Sequence, residues 1–187
     1  MMIQFLRACA ISAFAAVLAL PAAALDIKAR QYILMDFQTG TVLEAKNAEE
    51  RMTPSSMAKL MTSYVVFEAL KAGKLSLDDQ LTVSRKAWQE GGAASGGSTM
   101  FLDPGSKVKV EDLVRGMIIQ SGNDACIVLA EGLAGSEEAF AATMNEKAKQ
   151  LGLTDTHFVN STGLPDPEQY MSARDRSEEH TSELQSH

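Results

Sequence analysis

Cysteine and histidine are scarce in this chain. Of its 187 residues, two are cysteine and three are histidine. Cys9 lies close to the amino terminus, so a chain that loses its first residues keeps Cys126 alone and can form no intrachain disulfide. No cluster of His, Cys and Asp residues has the spacing of a metal site. We therefore expect a fold held by packing, with no metal and no cofactor.

An excess of positive charge is also missing. The formal net charge is -7 and the pI is about 5.0, and no run rich in Lys and Arg stands out. The chain therefore lacks the basic surface that is typical of nucleic-acid-binding proteins, and it lacks a basic segment that would bind anionic lipids. Hydrophobic residues make up 45% of the chain and charged residues 22%, which is typical of a domain with a real core and argues against disorder.

The first 24 residues have the build of a secretory signal. Arg7 precedes an apolar run over residues 8–20, and the small residues 22–24 follow it. This run is well short of the roughly 20 residues that a membrane span needs. We expect cleavage after Ala24 and a protein that works outside the cytoplasm.

Residues 176–187, RSEEHTSELQSH, differ from everything before them. They are polar throughout and have no apolar periodicity. Back-translated, the run resembles sequencing-adapter DNA, and we interpret it as a non-native tail, with a genuine disordered tail as the alternative. The predicted organisation is a signal peptide over 1–24, a folded part over 25–175 and this tail.

Apolar periodicity and turn residues predict a hairpin followed by several helices. The hairpin strands are expected over residues 31–36 and 41–46, and residues 157–160 are strand-like. The expected helices run over 56–72, over 110–120, from 124 towards the glycine at 135, and over 136–150. In the first helix, an apolar stripe indicates a central position; its members are Met57, Leu60, Met61, Tyr64 and Val65.

The first of these helices begins with Ser56-Met57-Ala58-Lys59, an S-x-x-K pattern. A spacing of three puts Lys59 one turn along the same face as Ser56, so the amine can approach the hydroxyl. The helix amino terminus favours a developing oxyanion and lowers the pKa of the lysine, which can then act as a general base. A second copy, Ser106 to Lys109, lies in a predicted extended stretch, where positions i and i+3 point to opposite faces.

Several other residues receive plainer interpretations. Cys126 is predicted to be a small buried hydrophobe, with a reactive thiol near the cleft as the alternative. His157 is interpreted as structural, and a serine triad therefore lacks its histidine. The Gly-rich segment 91–98 lacks the G-K-[ST] ending of a phosphate loop, so it is either the edge of a cleft or a linker.

Ser121-Gly122-Asn123 interrupts two apolar helices and adds an S-x-N pattern after the S-x-x-K. Penicillin-binding enzymes carry S-x-x-K, then S-x-N, then K-T-G. With the stretches PSSMAKLMTSYVVFEALKAGKL, GGSTMFLDPGSKVKVEDLVRGMIIQSGNDACIVLAEGLAGS and STGLPD to SARD, the chain resembles the low-molecular-mass D-alanyl-D-alanine carboxypeptidases over roughly residues 30–175. The K-T-G motif and its substrate-binding lysine are absent.

The resemblance implies a transpeptidase-like α/β (α+β) fold, with an antiparallel sheet and a helical region, incomplete at the carboxyl end. It also implies that Ser56 attacks a peptidoglycan stem peptide ending in D-Ala-D-Ala, that Lys59 accepts its proton, that Ser121 relays a proton and that Asn123 orients Lys59 and the substrate. β-Lactam antibiotics would acylate the same serine. The implied location is the periplasm or the outer face of the cytoplasmic membrane.

Two alternatives stay open beside this reading: a β-lactamase-like hydrolase that uses the same serine and lysine, and an inactive wall-binding or penicillin-binding remnant. Because sheet strands of the implied fold are missing, we expect residues 25–175 alone to be unstable and inactive. Membrane association through a missing carboxyl-terminal anchor is a further expectation from the resemblance.

A direct sequence read of the native gene across the codon for Asp175 tests the predicted tail. We expect the reading frame to continue into a helix and then into a strand that carries K-T-G, because the pattern of a folded domain stops abruptly at this point. A native gene that encodes RSEEHTSELQSH followed by a stop codon would contradict the prediction.

Overall fold

A computed structural model describes residues 27–178, so the predicted signal peptide and residues 179–187 of the predicted tail lie outside the described residues. The strands within this part are short and antiparallel: β1 (Tyr32–Met35) pairs with β2 (Val42–Lys46), and β3 (Gln80–Thr82) pairs with β4 (Lys107–Lys109). The helices are α1 (Ala58–Lys71), α2 (Val110–Gln120), α3 (Asn123–Ala134) and α4 (Glu137–Gln150).

The predicted hairpin is confirmed, and it lies at the surface. Tyr32 pairs with Lys46 and Ile33 with Ala45, and a bulge follows Leu34. Most of its side chains remain partly or fully exposed. A two-stranded ribbon contributes little stability by itself. The hydrophobic core is therefore built mainly by the helices, with further buried side chains from the loops.

Helix α3 lies at the centre of the described residues. Every residue from 123 to 130 in it is buried, and it packs against α1, α2 and α4. A helix that is buried all round belongs to the core of a domain. The largest fully buried side chains come from several elements: Met61, Leu113, Met117, Ile127, Leu129, Phe140, Met144, Phe158 and Met171.

Helix α1 is also central, but the predicted apolar stripe describes its burial poorly. Met61 and Val65 are buried as expected, whereas Met57 is 37% exposed. Thr62 and Ser63 are buried instead, and their hydroxyls donate to the carbonyls of Ser161 and Lys59. Because buried hydroxyls with hydrogen-bond partners cost little, a face that looks polar in the sequence can lie inside.

Residues 155–172 form an irregular segment in which the expected strand over 157–160 does not form. A single antiparallel bridge joins His157 to Tyr170. Buried side-chain amides replace the missing ladder: the Gln169 Oε1 accepts from the backbone N–H groups of Val159 and Asn160, each at 3.0 Å. Hydrogen bonds from side chains thus satisfy backbone groups that a strand ladder would otherwise pair.

No helix within residues 27–178 is long and apolar enough to cross a membrane.

Gly163 packs directly against the start of α1, and its replacement tests this contact. Its φ is +85°, and a Cβ at this position would lie 1.7 Å from the Ser55 carbonyl oxygen. Gly152 has a φ of +77° but open space around it, so it is the matched control. We expect Gly163→Ala to lower the free energy of unfolding by more than about 3 kcal/mol and Gly152→Ala by about 1–2 kcal/mol. Equal losses in urea denaturation would contradict the close packing.

Candidate active site

The site begins at a tight turn before α1. Residues Ser55–Met57 form a single 3₁₀ turn, in which the Met57 N–H donates to the Pro54 carbonyl at 3.1 Å. Ser55 has a φ of +49°, which is uncommon for a residue other than glycine. This turn leaves Ser56 exposed at the amino terminus of the helix, where unpaired N–H groups carry partial positive charge.

Lys59 is the buried partner of Ser56. Its side chain lies one turn along the helix, and its Nζ is 3.3 Å from the Ser56 Oγ. The same Nζ donates to the Thr162 carbonyl oxygen at 2.7 Å, and the residue is only 6% exposed. Burial lowers the pKa of Lys59 below its usual value, because the charged amine loses its hydration. No carboxylate among the described residues forms an ion pair with this amine.

Ser121 approaches Ser56 from the opposite side. It ends α2 in the left-handed conformation, with a φ of +56°. Its Oγ lies 3.1 Å from the Ser56 Oγ. The next residue, Gly122, donates its N–H to the Gly116 carbonyl at 3.0 Å, which closes the helix end. The break between α2 and α3 therefore brings a second hydroxyl to the reactive position.

Asn123 starts α3 beside these residues. It is 5% exposed, and its backbone N–H donates to the Ser98 carbonyl at 2.8 Å. A Cβ on Gly97 would lie 2.7 Å from the Asn123 Nδ2, so the Gly-rich segment packs on the amide. The amide itself makes no hydrogen bond with residues 27–178. Its predicted role in orienting Lys59 stays a prediction. The segment 91–98 packs beside Asn123 but does not line the cleft next to Ser56, so its place at the edge of a cleft also stays a prediction.

The second S-x-x-K copy is not an alternative site. It runs through β4, as its extended pattern predicts, and its lysine, Lys109, contacts Asp78 with 3.1 Å between the Nζ and the Oδ1. The Ser106 hydroxyl donates to the Asp103 carbonyl at 2.6 Å. The serine and the lysine of this copy therefore have separate partners.

The remaining candidates behave as structural residues. Cys126 is fully buried, and burial raises the pKa of its thiol to about 12, so the thiol is protonated at neutral pH. The His157 Nδ1–H donates to the Glu168 carbonyl at 2.7 Å, and the ring packs on Tyr170. No group of three metal-ligating side chains lies together within the described part of the chain.

Two groups at the site were not predicted from the sequence: the Asp124 carboxylate and the Thr162 carbonyl. The Asp124 carboxylate is fully buried and accepts from the Thr99 hydroxyl at 2.6 Å and from the N–H groups of Met100 and Leu102 at 3.0 and 3.1 Å. The Thr162 carbonyl is the acceptor of the Lys59 amine. The position of Asp124 in the first turn of a helix could have indicated its role from the sequence. The Thr162 carbonyl belongs to the backbone, and the sequence does not indicate which backbone carbonyls will act as acceptors.

A cleft of about 390 Å³ opens in front of these groups. Ser56, Lys59 and Ser121 line it together with Ser63 and Arg176, and apolar side chains form the rest of its wall: Met57, Leu60, Phe67, Met117 and Ile118. A hydroxyl next to a buried amine of lowered pKa is the arrangement of a serine nucleophile with a lysine general base. The geometry can support acyl transfer.

Comparisons with known proteins agree with this chemistry. The family described as D-alanyl-D-alanine carboxypeptidase matches residues 18–178. The chain is 52% identical to D-alanyl-D-alanine carboxypeptidase DacC of Escherichia coli over 172 residues, which cover 91% of this chain and 42% of that protein. It is 47% identical to DacA of Haemophilus influenzae over 150 residues, 80% of this chain and 38% of that protein. The chain thus spans about two fifths of the length of these relatives.

Solved structures give the same result for the fold. Penicillin binding protein 5 from Haemophilus influenzae superimposes with a TM-score of 0.83 and 42% identity, covering 88% of this chain and 47% of that chain. The carboxypeptidase DacD from Francisella tularensis gives 0.80 and 41%, covering 88% and 39%. The predicted transpeptidase-like fold is confirmed, and the chain belongs to the D-alanyl-D-alanine carboxypeptidase family.

Proposed function

We propose that this chain carries the acylating part of the active site of a serine-type D-alanyl-D-alanine carboxypeptidase. The observation that supports it most is the contact of Ser56 with two groups at once, since its Oγ is 3.3 Å from the buried Lys59 amine and 3.1 Å from the Ser121 hydroxyl. Stem peptides that end in D-Ala-D-Ala are the proposed substrates, and β-lactams the proposed inhibitors.

In the proposed reaction, the Ser56 Oγ attacks the carbonyl carbon between the two terminal D-alanines while neutral Lys59 accepts the hydroxyl proton. The Ser56 N–H at the helix amino terminus donates to the developing oxyanion. Ser121 relays the proton held by Lys59 to the departing amine, so free D-alanine leaves, an acyl ester remains on Ser56 and Lys59 is neutral again. Water then hydrolyses the ester, which releases the shortened peptide and restores the serine.

Asn123 is proposed to bind the substrate amide and to orient Lys59. An amide side chain has both a donor and an acceptor, which suits an amide of the substrate, and this one lies at the start of α3, two residues after Ser121. The second oxyanion donor and the lysine that binds the substrate carboxylate are expected on a K-T-G strand.

Export and location belong to the same proposal. A peptidoglycan substrate lies outside the cytoplasm, which fits the predicted signal peptide and a site in the periplasm or at the outer face of the cytoplasmic membrane. The proposal also includes a role in cell-wall maturation and cell shape. It further includes a membrane anchor in the carboxyl-terminal part of the protein.

The direct test uses the protein expressed from its own gene. Release of D-alanine from a peptide ending in D-Ala-D-Ala is measured beside hydrolysis of a β-lactam. Rapid D-alanine release with a long-lived penicilloyl ester supports the carboxypeptidase. Rapid β-lactam hydrolysis without D-alanine release would instead indicate a β-lactamase-like enzyme, and stable acylation without any turnover would indicate a penicillin-binding remnant.

Replacement of the nucleophile has a matched control within the chain. We expect Ser56→Ala to abolish the mass increase that penicillin produces in intact-protein mass spectrometry, because no other hydroxyl between residues 27 and 178 combines a helix amino terminus with a buried amine. Ser106→Ala removes the serine of the other S-x-x-K copy and should leave labelling unchanged. Labelling that survives Ser56→Ala would refute the assigned nucleophile.

The rate of acylation should depend on the protonation of Lys59. Its pKa is lowered from the usual 10.5 by burial, so the neutral amine accumulates at a lower pH than for an exposed lysine. We expect the acylation rate constant to rise with pH around a midpoint below 10.5. Lys59→Arg, whose guanidinium stays charged, should acylate at least about a hundredfold more slowly at each pH. A rise centred at 10.5 or above would contradict the role.

A further inference from the structure

Glu137 is a buried carboxylate that the proposed reaction leaves unused. It is the first residue of α4 and is 5% exposed. Its Oε1 accepts from both the backbone N–H and the hydroxyl of Ser161, at 3.0 and 2.8 Å. The start of α4 does not need this carboxylate as a cap, because the Ser136 hydroxyl already accepts from the Ala139 N–H at 3.1 Å.

Glu137 binds Ser161, and Ser161 and its neighbour Thr162 both contact α1. The Ser161 carbonyl accepts from the Thr62 hydroxyl at 2.7 Å, and the next carbonyl, that of Thr162, accepts from the Lys59 amine at 2.7 Å. The two residues therefore bridge α4 to the catalytic face of α1. A shift of the Ser161 backbone moves the acceptor that holds Lys59.

The charge of Glu137 is balanced on its far side by Lys86. The Lys86 Nζ lies 3.2 Å from the Glu137 Oε2 and 2.7 Å from the Glu138 Oε1. Partial burial lowers the pKa of Lys86, but hydrogen bonds to Glu138 and Glu137 outweigh this effect and hold the pKa above its usual value. Glu138 has a side chain that is 72% exposed and makes no contact with Ser161. A buried ion is tolerated when charge and hydrogen bonds compensate it.

We propose that Glu137 is a positioning residue, whose carboxylate holds the Ser161–Thr162 backbone so that the Thr162 carbonyl keeps the Lys59 amine within reach of the Ser56 hydroxyl. This inference rests on the proposed function for its catalytic meaning. Lysine has four rotatable side-chain bonds, so its amine depends on an external acceptor to stay in one place. Small misplacements of a reacting group cost large factors in rate.

The test compares Glu137 variants with a matched control at the neighbouring position. Glu137→Ala removes both acceptor contacts, Glu137→Asp keeps the charge but shortens the reach to Ser161, and Glu137→Gln keeps an acceptor oxygen without the charge. Glu138→Ala removes the exposed carboxylate on the same lysine. The comparison is made in the protein expressed from its own gene.

The first readout is acylation by excess fluorescent penicillin, followed in time. The amplitude reports how much protein is folded, whereas the rate constant at saturating penicillin reports how well the site acylates. We expect Glu137→Ala and Glu137→Asp to lower the rate constant at least about tenfold, Glu137→Gln to stay within about threefold and Glu138→Ala to remain unchanged. A reduced amplitude with an unchanged rate constant in Glu137→Ala or Glu137→Asp would overturn the proposal.

A second readout does not require turnover. Lys59 is labelled with an amine-selective reagent across a pH series, and the extent of labelling is read by peptide mass spectrometry. We expect faster labelling in Glu137→Ala and Glu137→Asp than in the parent or Glu138→Ala, because the amine loses its fixed acceptor. Unchanged labelling would overturn the inference. If the parent protein is not acylated, the proposed function is refuted, but the labelling of Lys59 still tests the role of Glu137. If Glu137→Ala does not fold, the labelling of Glu137→Asp gives the answer.

Discussion

The position of one buried amine is the constraint on which the site depends. Lys59 is 6% exposed, and its Nζ lies between the Ser56 hydroxyl and the Thr162 carbonyl. An ammonium group in this place loses hydration without gaining an ionic partner, which disfavours its charged form. The neutral form is stabilised relative to the charged one, and a neutral amine is what a general base requires. Burial therefore produces the reactivity that an exposed lysine lacks.

Two buried carboxylates anchor irregular segments of the chain around the site. Asp124 collects N–H and hydroxyl donors from residues 99–102, and Glu137 collects them from Ser161. Each carboxylate projects from the first turn of a helix, where the partial positive charge of the helix end stabilises it. Neither donates to or accepts from Lys59 directly. The two carboxylates thus anchor residues 99–102 and Ser161, while the Lys59 amine donates to the Thr162 carbonyl and has no carboxylate partner among residues 27–178.

Most of the helices and strands could be predicted from local sequence patterns. The hairpin, the helices over 110–120 and 136–150, and the extended second S-x-x-K copy were predicted from periodicity and turn residues and are present. The predicted strand over 157–160 does not form, and the apolar stripe of α1 is only partly buried, although the helix is central as expected. In both places hydrogen bonds of buried polar groups take part in the packing, such as Thr62 with Ser161 and Gln169 with Val159. A single sequence gives no measure of such pairings.

The local sequence is sufficient to bring the Ser56 and Lys59 side chains together, because a helical turn places positions i and i+3 on one face wherever the helix forms. It also determined the break at Ser121, since a Ser-Gly pair interrupts two apolar helices. Only the tertiary structure decided that the carbonyl of Thr162, 103 residues along the chain, holds the amine, and that burial lowers the pKa of Lys59. Both are long-range effects: they arise from α1, α3, α4 and the loop packing together, and no local pattern encodes where a distant backbone carbonyl will lie.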